Sequence, residues 1–89
     1  MPSRELTIIN RLGMHARAAA KFVNLASSFD ASLEVEKGQK RVNGKSIMGI
    51  MMLAAGKGST VRLVAEGDDA EAALKALEGL INDKFGEPE

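Results

Sequence analysis

Alternation of apolar and polar residues marks several short segments of the chain as strands. In residues 5–9, for example, Leu6 and Ile8 share one face, and Glu5 and Thr7 lie on the other. Successive side chains of a strand point to opposite faces, so such a segment has one apolar and one polar side. The predicted strands are residues 5–9, 32–37, 40–43 and 60–65.

Apolar residues at three- and four-residue steps predict three helices between and after these strands. The first runs from about 16 to 28, and a short second helix, 47–53, follows Ser46 as its N-cap. The third begins after Gly67 and stops near Gly86. The residues predicted to face the core are Ala19, Phe22, Val23, Ala26 and Phe29 in the first helix and Ala70, Ala73, Leu74, Leu77, Ile81 and Phe85 in the last.

The ends of the last helix carry two further expectations. Asp68 and Glu71 have the spacing of a capping box, and residues 87–89 are expected to form a loose tail. The resulting order is strand, helix, strand, strand, helix, strand, helix. Because the strands are polar on one side, this order predicts an α+β fold with an antiparallel sheet, helices on one face and water on the other.

Composition excludes several classes of function. The 89 residues suffice for a single domain, residues 1–89, with a modest core. The absence of cysteine rules out disulfides, thiol catalysis and thiolate metal sites, and a single histidine argues against an all-protein zinc site. Twelve basic and twelve acidic residues balance, and the chain has only three phenylalanines as aromatics, so we expect no nucleic-acid partner.

The sequence shows neither a secretory signal nor a membrane-spanning segment, and the predicted location of the protein rests on this. The first residues lack the apolar run of a secretory signal, and the longest apolar run, residues 50–55, is far short of the ~20 residues that cross a bilayer. We therefore expect a cytoplasmic protein with no membrane insertion, and we expect it to be a monomer.

The single histidine, His15, stands where an irregular segment becomes the first helix. Gly13 permits a sharp change of backbone direction, so that His15 falls near the N-cap with Arg17 in the first turn. The first N–H groups of a helix have no intrahelical partner, which makes this junction a natural seat for an anion. The helix dipole favours the neutral, nucleophilic ring by ~0.3–1 kcal/mol. Arg17 can offer two parallel N–H donors to a phosphate.

These features predict a histidine that accepts a phosphoryl group. Two alternatives remain from residue type alone: His15 is a plain surface residue, or the chain is a small α+β domain that binds a metabolite.

The second helix is apolar on nearly all sides, and two turns have too little contact surface to bury every one of these side chains. One interpretation is a deeply packed helix. The other is that Ile47, Met48 and Met51 stay exposed as an adaptable docking patch, a role that the flexibility of methionine suits.

At this point the chain resembles the HPr family, the histidine phosphocarriers of the bacterial phosphotransferase system. The resemblance covers nearly the whole chain. It lies in GMHARAAAKFV around His15, in VNGKSIMGIMMLAA around Ser46, and in the Gly67-Asp68-Asp69 start of the last helix. It implies an open-faced β-sandwich (βαββαβα) in which three helices cover one face of a four-stranded antiparallel sheet of order 1-4-2-3.

The resemblance also implies a function. Enzyme I, phosphorylated from phosphoenolpyruvate, would donate its phosphoryl group to Nδ1 of His15, which would pass it to an enzyme IIA domain. Arg17 would neutralise the phosphate, and the backbone N–H groups of Ala16 and Arg17 would hold its oxygens. Such a protein is a carrier rather than an enzyme and needs no metal or other cofactor. Ser46 is the target of a dedicated kinase in part of the family, and Ile47, Met48 and Met51 would belong to the docking face.

The sequence departs from the common family motif in ways that leave its branch open. Ala18 stands where proline is frequent, and Met14 replaces a frequent leucine. Leu12, Gly13 and Met14 resemble the nitrogen-related branch more than the sugar-transport branch. The recipient is therefore a sugar permease IIA, a nitrogen-type regulatory IIA, or both. The alternative function is a regulatory interaction module that signals through the phosphorylation of His15 and Ser46.

Overall fold

A four-stranded antiparallel sheet forms one layer of the protein in the computed structural model, which describes residues 2–89. Its spatial order is β1-β4-β2-β3, with antiparallel pairing between all neighbours. The strands are β1 (Ser3–Thr7), β2 (Ser32–Lys37), β3 (Lys40–Asn43) and β4 (Thr60–Glu66). The sheet order and fold class expected from the resemblance are confirmed.

The first strand lies two residues earlier than predicted. Leu6 and Ile8 are both buried, as the alternation indicates, but the register with β4 sets the ends of the strand. That register pairs Ser3 with Val64 and Thr7 with Thr60. Beyond it, Ile8 bonds to the loop before β4 instead, because its N–H donates to the carbonyl of Ser59 at 2.9 Å.

Three helices of the described chain cover the other side of the core. They are α1 (Ala16–Ser27), α2 (Ile47–Met52) and α3 (Ala70–Asn82). The helix α1 lies in the middle, packed against both α2 and α3. All predicted stripe residues are buried except Phe29, which follows α1 and is only partly buried against the core. Within residues 2–89, every helix is too short or too polar to span a bilayer.

The start of α3 differs from the prediction. Its N-cap residue is Asp69, so the capping box of Asp68 and Glu71 is wrong. The Asp69 carboxylate instead accepts two backbone N–H groups, from Asp30 and Ala31, each at 2.8 Å. A tertiary contact to the segment before β2 has therefore replaced the local cap.

The chain reverses direction after α3. Lys84, Phe85 and Gly86 all adopt left-handed backbone angles, with φ of 57°, 56° and 78°. Phe85 is fully buried, and its carbonyl accepts a hydrogen bond from Nζ of Lys21 at 2.7 Å. The reversal carries residues 87–89 back to the beginning of α1, so the expectation of a loose tail is wrong.

Candidate functional site

The loop between β1 and α1 is pressed against the segment that follows α2. Gly13 has φ +66°, and a Cβ atom on it would lie 2.5 Å from the carbonyl oxygen of Ala55. The next N–H, of Met14, donates to that same oxygen at 2.9 Å, and the Met14 side chain is buried. Glycine is needed here for both its backbone angle and its lack of a side chain. This close contact fixes the position of the residue that follows.

His15 is the N-cap residue of α1, as predicted. Its backbone is extended, with φ −71° and ψ 179°, and its carbonyl accepts the first helical hydrogen bond, from Ala19 N–H at 2.8 Å. The N–H groups of residues 16–18 precede that bond, so they carry the partial positive charge of the helix start. An anion attached to the His15 ring would lie near these donors.

An open cleft of about 550 Å³ surrounds the histidine. The cleft is lined by Arg11, Leu12, His15, Ala16, Arg17, Glu87, Pro88 and Glu89. Arg17 is exposed and lies in the first turn of α1, so the structure brings together the predicted histidine, arginine and helix start. The His15 ring is therefore reachable from solvent.

Two residues that sequence reasoning missed belong to the site, Glu87 in contact with the ring and Asn10 behind Glu87. The Glu87 carboxylate is hydrogen-bonded through Oε2 to Nε2 of His15. Its other oxygen, Oε1, accepts from Nδ2 of Asn10 at 2.9 Å, and Asn10 is fully buried. In the sequence nothing separates Glu87 from the other acidic residues near the C-terminus, so only the folded-back tail identifies it.

The carboxylate is held in its charged form. The hydrogen bond from Asn10 lowers the pKa of Glu87 below its ordinary value, and partial desolvation opposes this. The hydrogen bond and charge of His15, and the charge of Lys21, lower the pKa further. Glu87 is therefore an anion at neutral pH, and only 14% of its side chain is exposed against 27% for His15.

Ser46 is the N-cap of α2, as predicted, and its Oγ accepts from Gly49 N–H at 3.0 Å. Gly49 occupies the position where a capping box would have Glu or Gln. A Cβ atom on Gly49 would lie 3.2 Å from Cβ of Val42, which accounts for the glycine by the close approach of α2 to β3.

The surface of α2 is divided between core and solvent. Ile50 is fully buried, whereas Ile47 and Met51 are exposed and Met48 is 72% exposed. Leu12, 65% exposed, lies beside His15 and lines a second depression of about 260 Å³ with residues 54–56, which follow α2. The interpretation of α2 as a deeply packed helix is therefore wrong for four of its side chains, since Met52 is exposed as well. Over residues 2–89, no group of three or more His, Cys, Asp or Glu is placed to hold a metal ion.

Known proteins resemble the chain over its full length. A family model described as the PTS HPr component phosphorylation site matches residues 2–83. The phosphocarrier protein HPr of Neisseria meningitidis serogroup A is 52% identical over 89 residues, the whole of both chains. The phosphocarrier protein NPr of Shewanella violacea is 46% identical over 84 residues, which cover 94% of this chain and 92% of that one.

Solved structures agree with the sequence relatives. The crystal structure of HPr-C-His from Thermoanaerobacter tengcongensis superimposes with a TM-score of 0.96 at 53% identity and covers all of both chains. Three observations agree: the sheet order 1-4-2-3, the histidine at the start of α1, and the match of the family model. The chain belongs to the HPr family of phosphotransferase-system phosphocarrier proteins.

Proposed function

We propose that this protein accepts a phosphoryl group on His15 from phosphorylated enzyme I and transfers it to an enzyme IIA domain. The observation that carries the proposal is the position of His15 at the N-cap of α1, in an open cleft shared with Arg17. The relatives named phosphocarrier support it at about half identity over the full chain. The phosphoryl group would come originally from phosphoenolpyruvate.

Each residue of the site has a separate part in this transfer. Nδ1 of His15 supplies the lone pair that attacks phosphorus. The N–H groups of Ala16 and Arg17, at the positive end of α1, hold the phosphate oxygens, and the Arg17 guanidinium offsets their charge. In this role the protein is a transiently phosphorylated carrier rather than an enzyme.

A docking face surrounds the histidine in this proposal. We define it as Leu12, Ile47, Met48 and Met51, all exposed and apolar. Exposed apolar side chains of this size mark protein–protein contacts, and methionines adapt to more than one partner. The same face would therefore receive enzyme I and enzyme IIA in turn. A carrier that meets two partners in turn would act as a monomer in the cytoplasm.

The test is phosphorylation by enzyme I and radiolabelled phosphoenolpyruvate. The wild type should take up acid-labile, alkali-stable phosphate, and His15→Ala should take up none. Arg17→Ala should keep the fold but transfer about ten- to hundredfold more slowly, because it loses one charge-assisted contact to the phosphate. Arg62→Ala, on the exposed face of the sheet, is the matched control and should transfer at the wild-type rate. Label on His15→Ala, or none on the wild type, contradicts the proposal.

A second proposed role is regulation through Ser46. Its hydroxyl lies at the start of α2, beside the exposed Ile47 and Met48. A phosphate there, added by a dedicated kinase, would favour the helix start but place about −1.5 to −2 charge on the docking face. We expect Ser46→Asp to bind enzyme I more weakly with little change in stability. Equal affinity of Ser46→Asp and wild type would count against this role.

The branch of the phosphotransferase system is the remaining question. Relatives named HPr and NPr match the chain at similar identity, 52% and 46%. Competition between a purified sugar IIA and a nitrogen-type IIA for the phosphorylated protein would identify the recipient. A rate advantage for one of them assigns the branch, and equal rates assign both.

A further inference from the structure

A short chain of hydrogen bonds runs from the buried Asn10 to Nε2 of the His15 ring. Asn10 donates one N–H to the carbonyl of Gly13 at 2.8 Å and the other to Glu87 at 2.9 Å. The second oxygen of Glu87 contacts Nε2 of His15. We propose that Glu87, held by Asn10, is a positioning residue that keeps the proton of His15 on Nε2 and leaves Nδ1 as the nucleophile. This inference rests on the proposed carrier function.

The direction of each hydrogen bond follows from its acceptor. A backbone carbonyl and an ionised carboxylate only accept, so the Asn10 amide must point its NH₂ group at both. The carboxylate then has no hydrogen to give to the imidazole, so the hydrogen between Glu87 and His15 belongs to Nε2. In the neutral ring the other nitrogen, Nδ1, then carries the lone pair.

The tail that brings Glu87 to the ring is fixed at several points. Phe85 is fully buried, and its carbonyl is bound by Lys21. On the other side of Glu87, the carbonyl of Glu89 accepts from the N–H of Arg11 at 2.8 Å. Left-handed backbone at Lys84 and Phe85 costs free energy, so it persists only where surrounding contacts require it. The tail is thus built to hold a definite conformation beside the site.

The chemistry of transfer gives Glu87 a reason to be charged. The Nδ1 lone pair forms a bond to phosphorus, the bond from phosphorus to nitrogen in the donor phosphohistidine breaks, and its electron pair stays on the donor nitrogen. His15 keeps its Nε2 proton, so the phosphorylated ring carries a positive charge. The adjacent carboxylate stabilises that ring charge through a charge-assisted hydrogen bond. In the onward step, the P–Nδ1 bond breaks, its electron pair returns to Nδ1, and the ring leaves neutral.

The experiment compares Glu87→Ala and Glu87→Gln with the wild type. Asp83→Ala, an exposed acid just before the reversal, is the matched control. The first readout is the ¹⁵N spectrum of the His15 ring at a pH where it is neutral. We expect the Nε2–H form to dominate in the wild type and in Asp83→Ala, and a mixture of both forms in Glu87→Ala. Glu87→Gln keeps one acceptor oxygen for two donors, Asn10 and His15, so it should also move the ring away from the pure Nε2–H form.

The second readout is the single-turnover rate of phosphorylation by enzyme I. Glu87→Ala should be about ten- to hundredfold slower, since it loses a charged hydrogen-bond partner of the reacting ring. Glu87→Gln should also be slower than the wild type, because the negative charge beside the ring is gone and one of the two acceptor oxygens is replaced by a donor.

The outcomes separate this inference from the carrier function. If the wild type is phosphorylated and Glu87→Ala reacts as fast or faster, the positioning role is overturned while the carrier function stands. An unchanged tautomer in Glu87→Ala overturns the role as well. If the wild type takes no phosphate at all, the carrier function fails and the positioning role fails with it.

Discussion

Gly13 is the residue whose backbone delivers His15 to the start of α1. Its φ of +66° is in the left-handed region, and a Cβ atom would overlap the carbonyl of Ala55. We expect Gly13→Ala to lose about 1–2 kcal/mol of stability from the backbone angle. The overlap should add a further ~1–3 kcal/mol, because the neighbour is backbone and has little freedom to move. Urea denaturation of both proteins measures the loss.

The control for this substitution is Gly38→Ala. Gly38 has a similar φ of +59°, but a Cβ atom there would meet nothing within 4 Å. It should therefore lose only the backbone contribution of about 1–2 kcal/mol. Equal losses at the two positions would show that the contact with Ala55 does not matter.

At the scale of single residues, the sequence identifies groups whose chemistry shows in their own neighbourhood. His15, Arg17 and Gly13 lie within five positions, and the pattern predicts a helix start there. Asn10 and Glu87 contribute to the same site from positions 77 apart in the chain. No local pattern pairs them, because their meeting depends on the reversal at the end of α3. The sequence therefore predicts the reactive residues of the site but not the residues that support them.

Among the elements, α2 depends most on its cap, because it has only six residues. So short a helix has little intrinsic stability, and Ser46 Oγ pairs one of its free N–H groups. We expect Ser46→Ala to cost ~0.5–2 kcal/mol of unfolding free energy. Hydrogen exchange of the Gly49 amide should also become faster, since that N–H loses its acceptor.

Ser27→Ala serves as the comparison for the cap. Ser27 is exposed within α1 and is not at a helix start, so alanine there should change stability by no more than about 0.5 kcal/mol. A loss in Ser46→Ala no larger than in Ser27→Ala would mean that the Oγ contact contributes nothing.

The beginning of α3 is tied to the segment before β2 by Asp69. The pKa of Asp69 is lowered, first by the hydrogen bond from Asp30 N–H, against partial desolvation, and then by that from Ala31. A carboxyl whose pKa is lower in the folded than in the unfolded protein stabilises the fold above the unfolded pKa. That stabilisation is lost as pH falls through the folded pKa.

We therefore expect Asp69→Asn to be less stable than the wild type at pH 7. The difference should begin to shrink below about pH 4, the ordinary range of an aspartate in the unfolded chain, and should be lost as pH falls through the lower pKa of the folded protein. Urea midpoints at several pH values measure it, with the exposed neighbour Asp68→Asn as the control. A difference between wild type and Asp69→Asn that stays constant down to pH 2 would contradict the assignment.

The periodicity of apolar residues predicts the buried faces of the strands and helices but not their ends. The faces of the strands and helices follow from it, because burial imposes the pattern directly. The ends do not: β1 is bounded by its register with β4, and Asp69, the N-cap residue of α3, binds the segment before β2 with its carboxylate and does not cap the helix. The sheet order 1-4-2-3 came from the family resemblance, since alternation fixes which side of a strand is buried and leaves its neighbours undetermined.

At the scale of the whole molecule, the residues that stabilise the fold are different from those that we propose bind the partners. The fully buried side chains join the sheet and helices into one cluster, which includes Phe22, Ile50 and Phe85. The docking face lies outside that cluster. Its members therefore contribute little to folding, and a change there should act on partner binding alone.

Met48→Glu tests this separation. Met48 is 72% exposed, so we expect the unfolding free energy to change by no more than about 0.5 kcal/mol. Binding to enzyme I should weaken by about tenfold or more, because a charge would be desolvated in an apolar contact. Ala72→Glu, on the exposed side of α3, makes the same change of net charge and should bind more nearly as the wild type does. Titration calorimetry with enzyme I measures both affinities. Equal weakening by the two variants would mean that net charge, and not the face formed by α2 and Leu12, governs the encounter.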